Sequence, residues 1–243
     1  MQSQRAETEF VSRSTVANNF LVLGGARCGT TLLVDHLNCH HQIHCHGEIL
    51  SEDQPQYGRP FAMQRNELKQ HVVSFFRTPP EILRGAKILT YQLNQLPIKM
   101  ADLMQLLERP LIVAIYRQDT LDQYVSLMLA KQTGVWHTRE PVGNEAIRLD
   151  PAAYAQWLDR EYQMWQDALA DLETDQVHYV SYERFIRDVR GSMHEIFDFL
   201  GLERRPTSSS LIKMNPSPLA KKLQNDQDFM RADLLSRRLL KLP

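Results

Sequence analysis

Between Asn19 and Leu37 the chain passes from an apolar run, through a glycine-rich turn, into a segment with helical spacing. This stretch constrains the fold more than any other. Phe20-Leu21-Val22-Leu23 is a short apolar run that reads as a strand. Gly24-Gly25 stops it, and Thr30-Thr31-Leu32-Leu33-Val34 with Leu37 continues at helical spacing. The pattern recurs. Helical spacing from Glu67 to Phe76 precedes a strand at Ala86–Tyr91. Leu103, Leu106 and Leu107 mark a helix closed by Pro110, before the strand Leu111–Tyr116 and a helix from Leu121 to Lys131. Asp150-Pro151 reads as an N-cap with proline at the first helical position, opening a helix whose apolar stripe, Tyr154, Trp157, Leu158, Trp165, Leu169 and Leu172, is a core face. Val177–Val180 is a short strand, followed by helices over Ser181–Arg190 and Ser192–Leu200, then a loop and a charged helix in the tail. Strands alternating with helices predict an α/β fold with a central, mostly parallel sheet flanked by helices.

The chain has 243 residues and no internal repeat, which suits one domain, with residues 1–17 a polar, flexible lead-in. A net charge of -1 leaves no basic field to hold a nucleic acid, so any polyanion must be met by a local cluster. No apolar run approaches the ~20 residues of a membrane span. The N-terminus lacks the apolar core of a signal peptide. The three cysteines, Cys28, Cys39 and Cys45, are an odd, clustered set that argues against a disulfide framework and for a reducing, cytoplasmic setting.

Gly24-Gly25-Ala26-Arg27-Cys28-Gly29-Thr30-Thr31 presents backbone N–H groups, a helix N-terminus and two hydroxyls to an anion. Compared with the nucleotide-binding loop G-x-x-x-x-G-K-[ST], Gly24 and Gly29 fit, but Thr30 takes the lysine position and the basic residue is Arg27, inside the loop. That departure counts against ATP or GTP. A second anion site is suggested at Arg117, which ends the most apolar strand, with Ser126 on the following helix, capped by Asp119 or Thr120. A guanidinium holds two phosphate oxygens at once.

These two motifs resemble those of sulfotransferases that use 3′-phosphoadenosine 5′-phosphosulfate (PAPS), and the second resembles that of bacterial carbohydrate sulfotransferases of the trehalose and Nod-factor type. The resemblance implies a single sulfotransferase domain over residues 1–243 with a P-loop nucleotide-kinase-like fold and no metal. It implies that Gly25, Ala26, Arg27, Cys28, Gly29, Thr30 and Thr31 hold the 5′-phosphosulfate, with Arg27 on the bridging and sulfuryl oxygens. Arg117 and Ser126 would hold the 3′-phosphate, and Lys213, in the loop Lys213–Leu219, would be a further phosphate contact. The acceptor would be a small molecule or glycan bearing a hydroxyl, and the product 3′-phosphoadenosine 5′-phosphate (PAP). A homodimer stays open.

Five of the nine histidines, His36, His40, His41, His44 and His46, fall in one eleven-residue window with Cys39 and Cys45. No two ligand pairs face each other at zinc spacing, and most of these histidines read as loop residues at the end of the first helix. His46-Gly47-Glu48-Ile49-Leu50 resembles the family segment whose glutamate, here Glu48, is the general base. His46, with an ordinary pKa near 6.5, is the competing base. Lys87, in a strand resembling the family's G-x-K, is a candidate lining of the acceptor site. Two other readings stay open: a small-molecule kinase with a degenerate phosphate loop, and a non-catalytic nucleotide-binding protein.

Overall fold

In the computed structural model, residues 19–77, 82–136, 146–211 and 218–231 are described. The lead-in over residues 1–17 and Lys213 lie outside them. In chain order the elements are β1 (Asn19–Gly24), α1 (Thr30–Leu37), β2 (Ile43–Glu48), α2 (Arg65–Ser74), β3 (Leu83–Leu89), α3 (Thr90–Gln95), α4 (Met100–Leu106), β4 (Leu111–Tyr116), α5 (Thr120–Thr133), α6 (Pro151–Leu169), β5 (Val177–Ser181), α7 (Tyr182–Arg187), α8 (Val189–Phe199), α9 (Leu219–Lys222) and α10 (Asp226–Arg231). The sheet order is β2-β3-β1-β4-β5, and every pairing is parallel.

The two continuous apolar runs, β1 and β4, lie side by side at the centre, paired Phe20 to Leu111 through Gly24 to Ile115. Their residues alternate between two cores. Leu21, Leu23, Ile112 and Ala114 pack on one face with Leu68, Leu93, Leu103 and Trp165 from α2, α3, α4 and α6. Phe20, Val22, Val113 and Ile115 pack on the other with Leu33, Leu37, Phe185, Met193 and Phe197 from α1, α7 and α8. A third cluster, with Tyr124, Tyr154, Leu158 and Phe229, binds α5, α6 and α10 beside the sheet.

Local chemistry sets the element ends. Asp150 accepts from the Ala152 N–H at 2.9 Å and starts α6 ahead of Pro151. Asp119 caps α5 through the Asp122 N–H at 3.0 Å. Asp188 caps α8 through the Gly191 N–H, which divides the helix expected over Ser181–Arg190 into α7 and the start of α8.

Two expectations are corrected. The histidine window is not all loop, because Ile43–Glu48 forms β2 at the sheet edge. Ile43 and Cys45 point inward while His44 is exposed, the period-2 alternation of a strand with one solvated face. The strand expected to run to Tyr91 stops at Leu89, and α3 begins at Thr90. Among the described residues no helix is long and apolar enough to cross a membrane.

Phe185 on α7 is fully buried in the second core. Phe185→Ala is expected to lower unfolding free energy by about 3–5 kcal/mol with an unchanged urea m-value. A loss under about 1 kcal/mol would mean that α7 does not close this face.

Candidate active site

Polar groups converge where the parallel strands end. β1 leads into the glycine loop, β2 ends at Glu48, β3 carries Lys87 near its end, β4 is followed by Arg117 and β5 by Tyr182. One cavity of about 1080 Å³ opens there, lined by Arg27, Thr30, Thr31, Glu48, Lys87, Arg117, Ser126 and Lys222 among others. Open α/β sheets place ligands at this edge.

The loop is held in an uncommon conformation. Arg27 has φ 66° and Gly29 φ 88°, both left-handed. At Gly29 only glycine fits on two counts, since a Cβ would also come within 2.6 Å of the Tyr182 ring. Gly29 is the N-cap of α1 and offers no side chain to the first-turn N–H groups, leaving them to a ligand. Ala26, Arg27, Gly29, Thr30 and Thr31 line the cavity, whereas Gly25 and Cys28 are not among the lining residues. The Cys28 N–H donates to the Gly25 carbonyl at 3.3 Å, and its thiol is fully buried, which pushes the thiol pKa up.

Arg27 donates from Nε to Ser126 Oγ at 3.2 Å and from Nη1 to the Trp136 carbonyl. Ser126 therefore meets Arg27, and both share the cavity with Arg117. Arg117 is only 4% exposed. It ion-pairs with Asp122 and stacks over the Tyr182 ring at 4.8 Å. Asp122 also ion-pairs with buried Lys222 of α9. Burial, and next the charge of Arg117, lowers the Arg27 guanidinium pKa. Two guanidiniums facing one enclosed space suit an anion between them.

Glu48 and Lys87 form an ion pair of 2.5 Å. Lys87 Nζ also donates to Thr31 Oγ1 at 2.8 Å, so it bridges the carboxylate and the first turn after the glycine loop. Burial pulls the Lys87 ammonium pKa down while Glu48 opposes. The pair depends on an irregularity in β2. His46 registers with Ala86 but Glu48 with Lys87, so Gly47 is an extra residue in the edge strand. Such a bulge re-aims the side chains around it. Glu48 lines the cavity, and His46 is not among its lining residues. Instead His46 Nε2 lies 3.2 Å from the Phe75 carbonyl and its ring meets Phe75 edge-on at 5.1 Å. Burial and neighbouring His44 lower its pKa. Of the two candidate bases, the structure brings Glu48 to the cavity wall and engages the His46 ring with Phe75 at the end of α2.

Two other histidines of the window have polar partners of their own. His36 Nδ1 is 2.8 Å from Thr207 Oγ1, and His40 Nε2 is 3.1 Å from the Glu203 carbonyl. Among the described residues no group of three or more His, Cys, Asp or Glu is placed to hold a metal ion.

Three groups at the site carry no motif. Lys222 sits in a charged tail helix that no spacing singles out. Gln123 donates to the Ala26 carbonyl at 2.9 Å, and Glu161 of α6 lies beside it. A signal for Glu161 was present, because it falls on the helical stripe between Leu158 and Trp165, where a carboxylate is out of place.

A family model for the sulfotransferase family matches residues 84–206, just over half of the sequence. The chain belongs to the sulfotransferase family. The match begins in β3 and takes in Lys87, Arg117 and Ser126, while the glycine loop precedes it. Among solved structures, a sulfotransferase from Alicyclobacillus acidocaldarius superposes with a TM-score of 0.53 at 15% identity, over 90% of this chain and 92% of that one. That likeness shows a shared fold. The mouse sulfotransferase SULT7A1 complexed with PAP aligns with a TM-score of 0.49 at 18% identity, over 77% of this chain and 60% of that one. No curated protein matches the sequence.

Burial pushes the Glu161 carboxyl up from 4.5 to about 7, with Gln123 and Trp165 opposing. The folded state thus keeps a proton that the unfolded chain releases. The associated stability is fully present below the unfolded value of 4.5 and is lost as pH rises through about 7. Denaturation of wild type is expected to show this loss, at no more than about 1.4 kcal/mol per pH unit, and Glu161→Gln to remove it. Parallel pH profiles for the two proteins would refute the assignment.

Proposed function

We propose that this chain transfers the sulfuryl group of PAPS, in line, to a hydroxyl of a carbohydrate or other small-molecule acceptor. The observation that carries the reading is one cavity joining a phosphate loop, a second arginine at a strand end and a carboxylate–lysine pair. The residues present fit a donor with two separated phosphates. Arg27, Lys87, Arg117 and Lys222 are among the cations that line the cavity, and the uncapped N-terminus of α1 lies in the loop. When bound, PAPS supplies an activated sulfuryl group with a phosphate as leaving group.

In this reading the glycine loop, with Ala26, Gly29, Thr30 and Thr31, holds the 5′-phosphate. Gly25 and Cys28 shape the turn behind it. Arg27 faces the bridging oxygen, where charge develops, and a donor placed there beforehand lowers the barrier. Arg117, Ser126 and Lys222 face the 3′-phosphate. Asp122 holds the two buried cations Arg117 and Lys222 side by side. Lys213, outside the described residues, stays a proposed contact. Glu48 takes the proton of the attacking hydroxyl, a role for which its place at the cavity wall qualifies it. Lys87, within reach of both Glu48 and Thr31, can follow charge from the acceptor side to the leaving-group side.

Asp53, Gln54, Asn94 and Gln95 line the same cavity as Glu48, together with the aromatic faces of Trp136 and Trp157. Convergent amides and carboxylates with aromatic walls suit an acceptor rich in hydroxyls. This supports the resemblance to carbohydrate sulfotransferases. The proposed setting is the cytoplasm, a reducing compartment that suits three clustered cysteines.

Calorimetric titration with PAP, and separately with ADP plus magnesium, tests the donor. PAP is expected to bind tightly in EDTA and ADP far more weakly. A preference for magnesium–ADP would put a kinase in its place. Arg117→Ala is expected to weaken PAP binding by about tenfold or more, since it removes a charged hydrogen-bond donor and strands buried Asp122. Glu48→Gln is expected to cut turnover by about a hundredfold or more, the usual worth of a general base, while PAP binding holds within a few-fold. Transfer by Glu48→Gln at the wild-type rate would disprove the base assignment.

A further inference from the structure

Two buried polar side chains lie against the backbone of the phosphate loop, and one of them, Glu161, also borders the cavity. Gln123 of α5 is fully buried, and its Nε2 donates to the Ala26 carbonyl at 2.9 Å. The same Nε2 lies 3.4 Å from Glu161 Oε1 on α6. Glu161 is 3% exposed and sits against the Gly25 α-carbon so closely that a Cβ there would come within 2.0 Å of Oε1. An apolar side chain would fill this stripe position of α6 more favourably, because a buried carboxyl carries a desolvation penalty. None would reach the loop with a polar group.

The loop needs such a hold. Arg27 is a non-glycine residue in the left-handed region, a conformation that persists only where its surroundings over-determine it. α5 supplies two restraints one turn apart. Gln123 holds the backbone just before Arg27, and Ser126 receives the Arg27 side chain at 3.2 Å. Glu161 is the only partner in this set that comes from α6, and it meets the loop at Gly25, two residues before the strained position.

We propose that Glu161, acting through Gln123, is a positioning residue that clasps Gly25 and Ala26 and so aims the phosphate loop at its ligand. The clasp explains why position 25 accepts no side chain while Glu161 is present. It deepens the donor assignment above and rests on it for its effect on binding. Its effect on the loop itself does not depend on what the ligand is.

Two readouts test it, PAP affinity by calorimetry and amide hydrogen exchange across residues 25–31, each alongside thermal melting. Glu161→Ala and Gln123→Ala are each expected to weaken PAP binding by up to about tenfold, the upper worth of one buried hydrogen bond. Acting along one route, they should not add, so the double variant binds about as weakly as either alone. Glu161→Gln, which keeps shape and hydrogen bonding, is expected to recover most of what Glu161→Ala loses. Exchange should quicken at residues 25–31 and not in β1 or β4. Gly25→Ala should harm binding much less in the Glu161→Ala background than in wild type. Additive losses, or unchanged affinity and loop exchange in Glu161→Ala, would overturn the clasp. Should Glu161→Ala fail to fold, Gln123→Ala alone decides by the same two readouts. If wild type does not bind PAP, the donor assignment fails, and loop exchange still decides the clasp.

Discussion

The central strands of the sheet are buried on both faces, and the arrangement of the site follows from that. β1 and β4 carry apolar side chains to either side, so helices must cover both faces and the middle of these strands has no room for polar chemistry. Functional groups are left one location, the carboxyl edge, where each strand hands over to a loop or helix. Arg27, Glu48, Lys87, Arg117 and Tyr182 all lie at or next to such handovers, although they come from five separate strands. Parallel pairing brings those ends to one side, which antiparallel pairing would not do.

Packing cations at that edge creates an electrostatic problem that the carboxylates relieve. Arg117 and Lys222 are buried and would repel each other, and Asp122 sits between them. Lys87 is likewise buried, and Glu48 balances it. The two pairs differ in what they are free to do. Asp122 belongs to a helix rooted in the third core cluster and faces two cations, so it is a fixed counter-charge. Glu48 follows a bulge in an edge strand, pairs with one cation and borders the cavity, which leaves it within reach of a ligand.

Much of this was legible before any coordinates. β1, α1, β4 and the start of α6 follow from apolar runs, a glycine break and an Asp-Pro cap, signals that act within a few residues. Arg27, Thr30, Thr31 and Arg117 were legible because they flank those elements. The edge strand β2 was obscured because its alternation, Ile-His-Cys-His, looks like a histidine cluster when its pairing partner is unknown. The separation of His46 from Glu48 was not legible at all, since it turns on one inserted residue in the pairing register. Lys222 was hidden for a different reason. Its role depends on α9 folding back so that Leu223 pairs with Ile147, a contact between segments far apart in the chain.

Glu161 lies between these cases and shows what a periodicity argument omits. The α6 stripe was read as core, and Tyr154, Leu158 and Trp165 are buried in it. The same spacing that places them inside places Glu161 inside, and a buried carboxyl needs a partner. Here the partners are Gln123 and the bare α-carbon of a loop glycine. A polar residue in an apolar stripe is therefore a pointer toward whatever that stripe covers. On this helix the stripe passes from the third core cluster at Tyr154 and Leu158 to the sheet-face core at Trp165 and meets the glycine loop at Glu161, so the pointer leads to the candidate site.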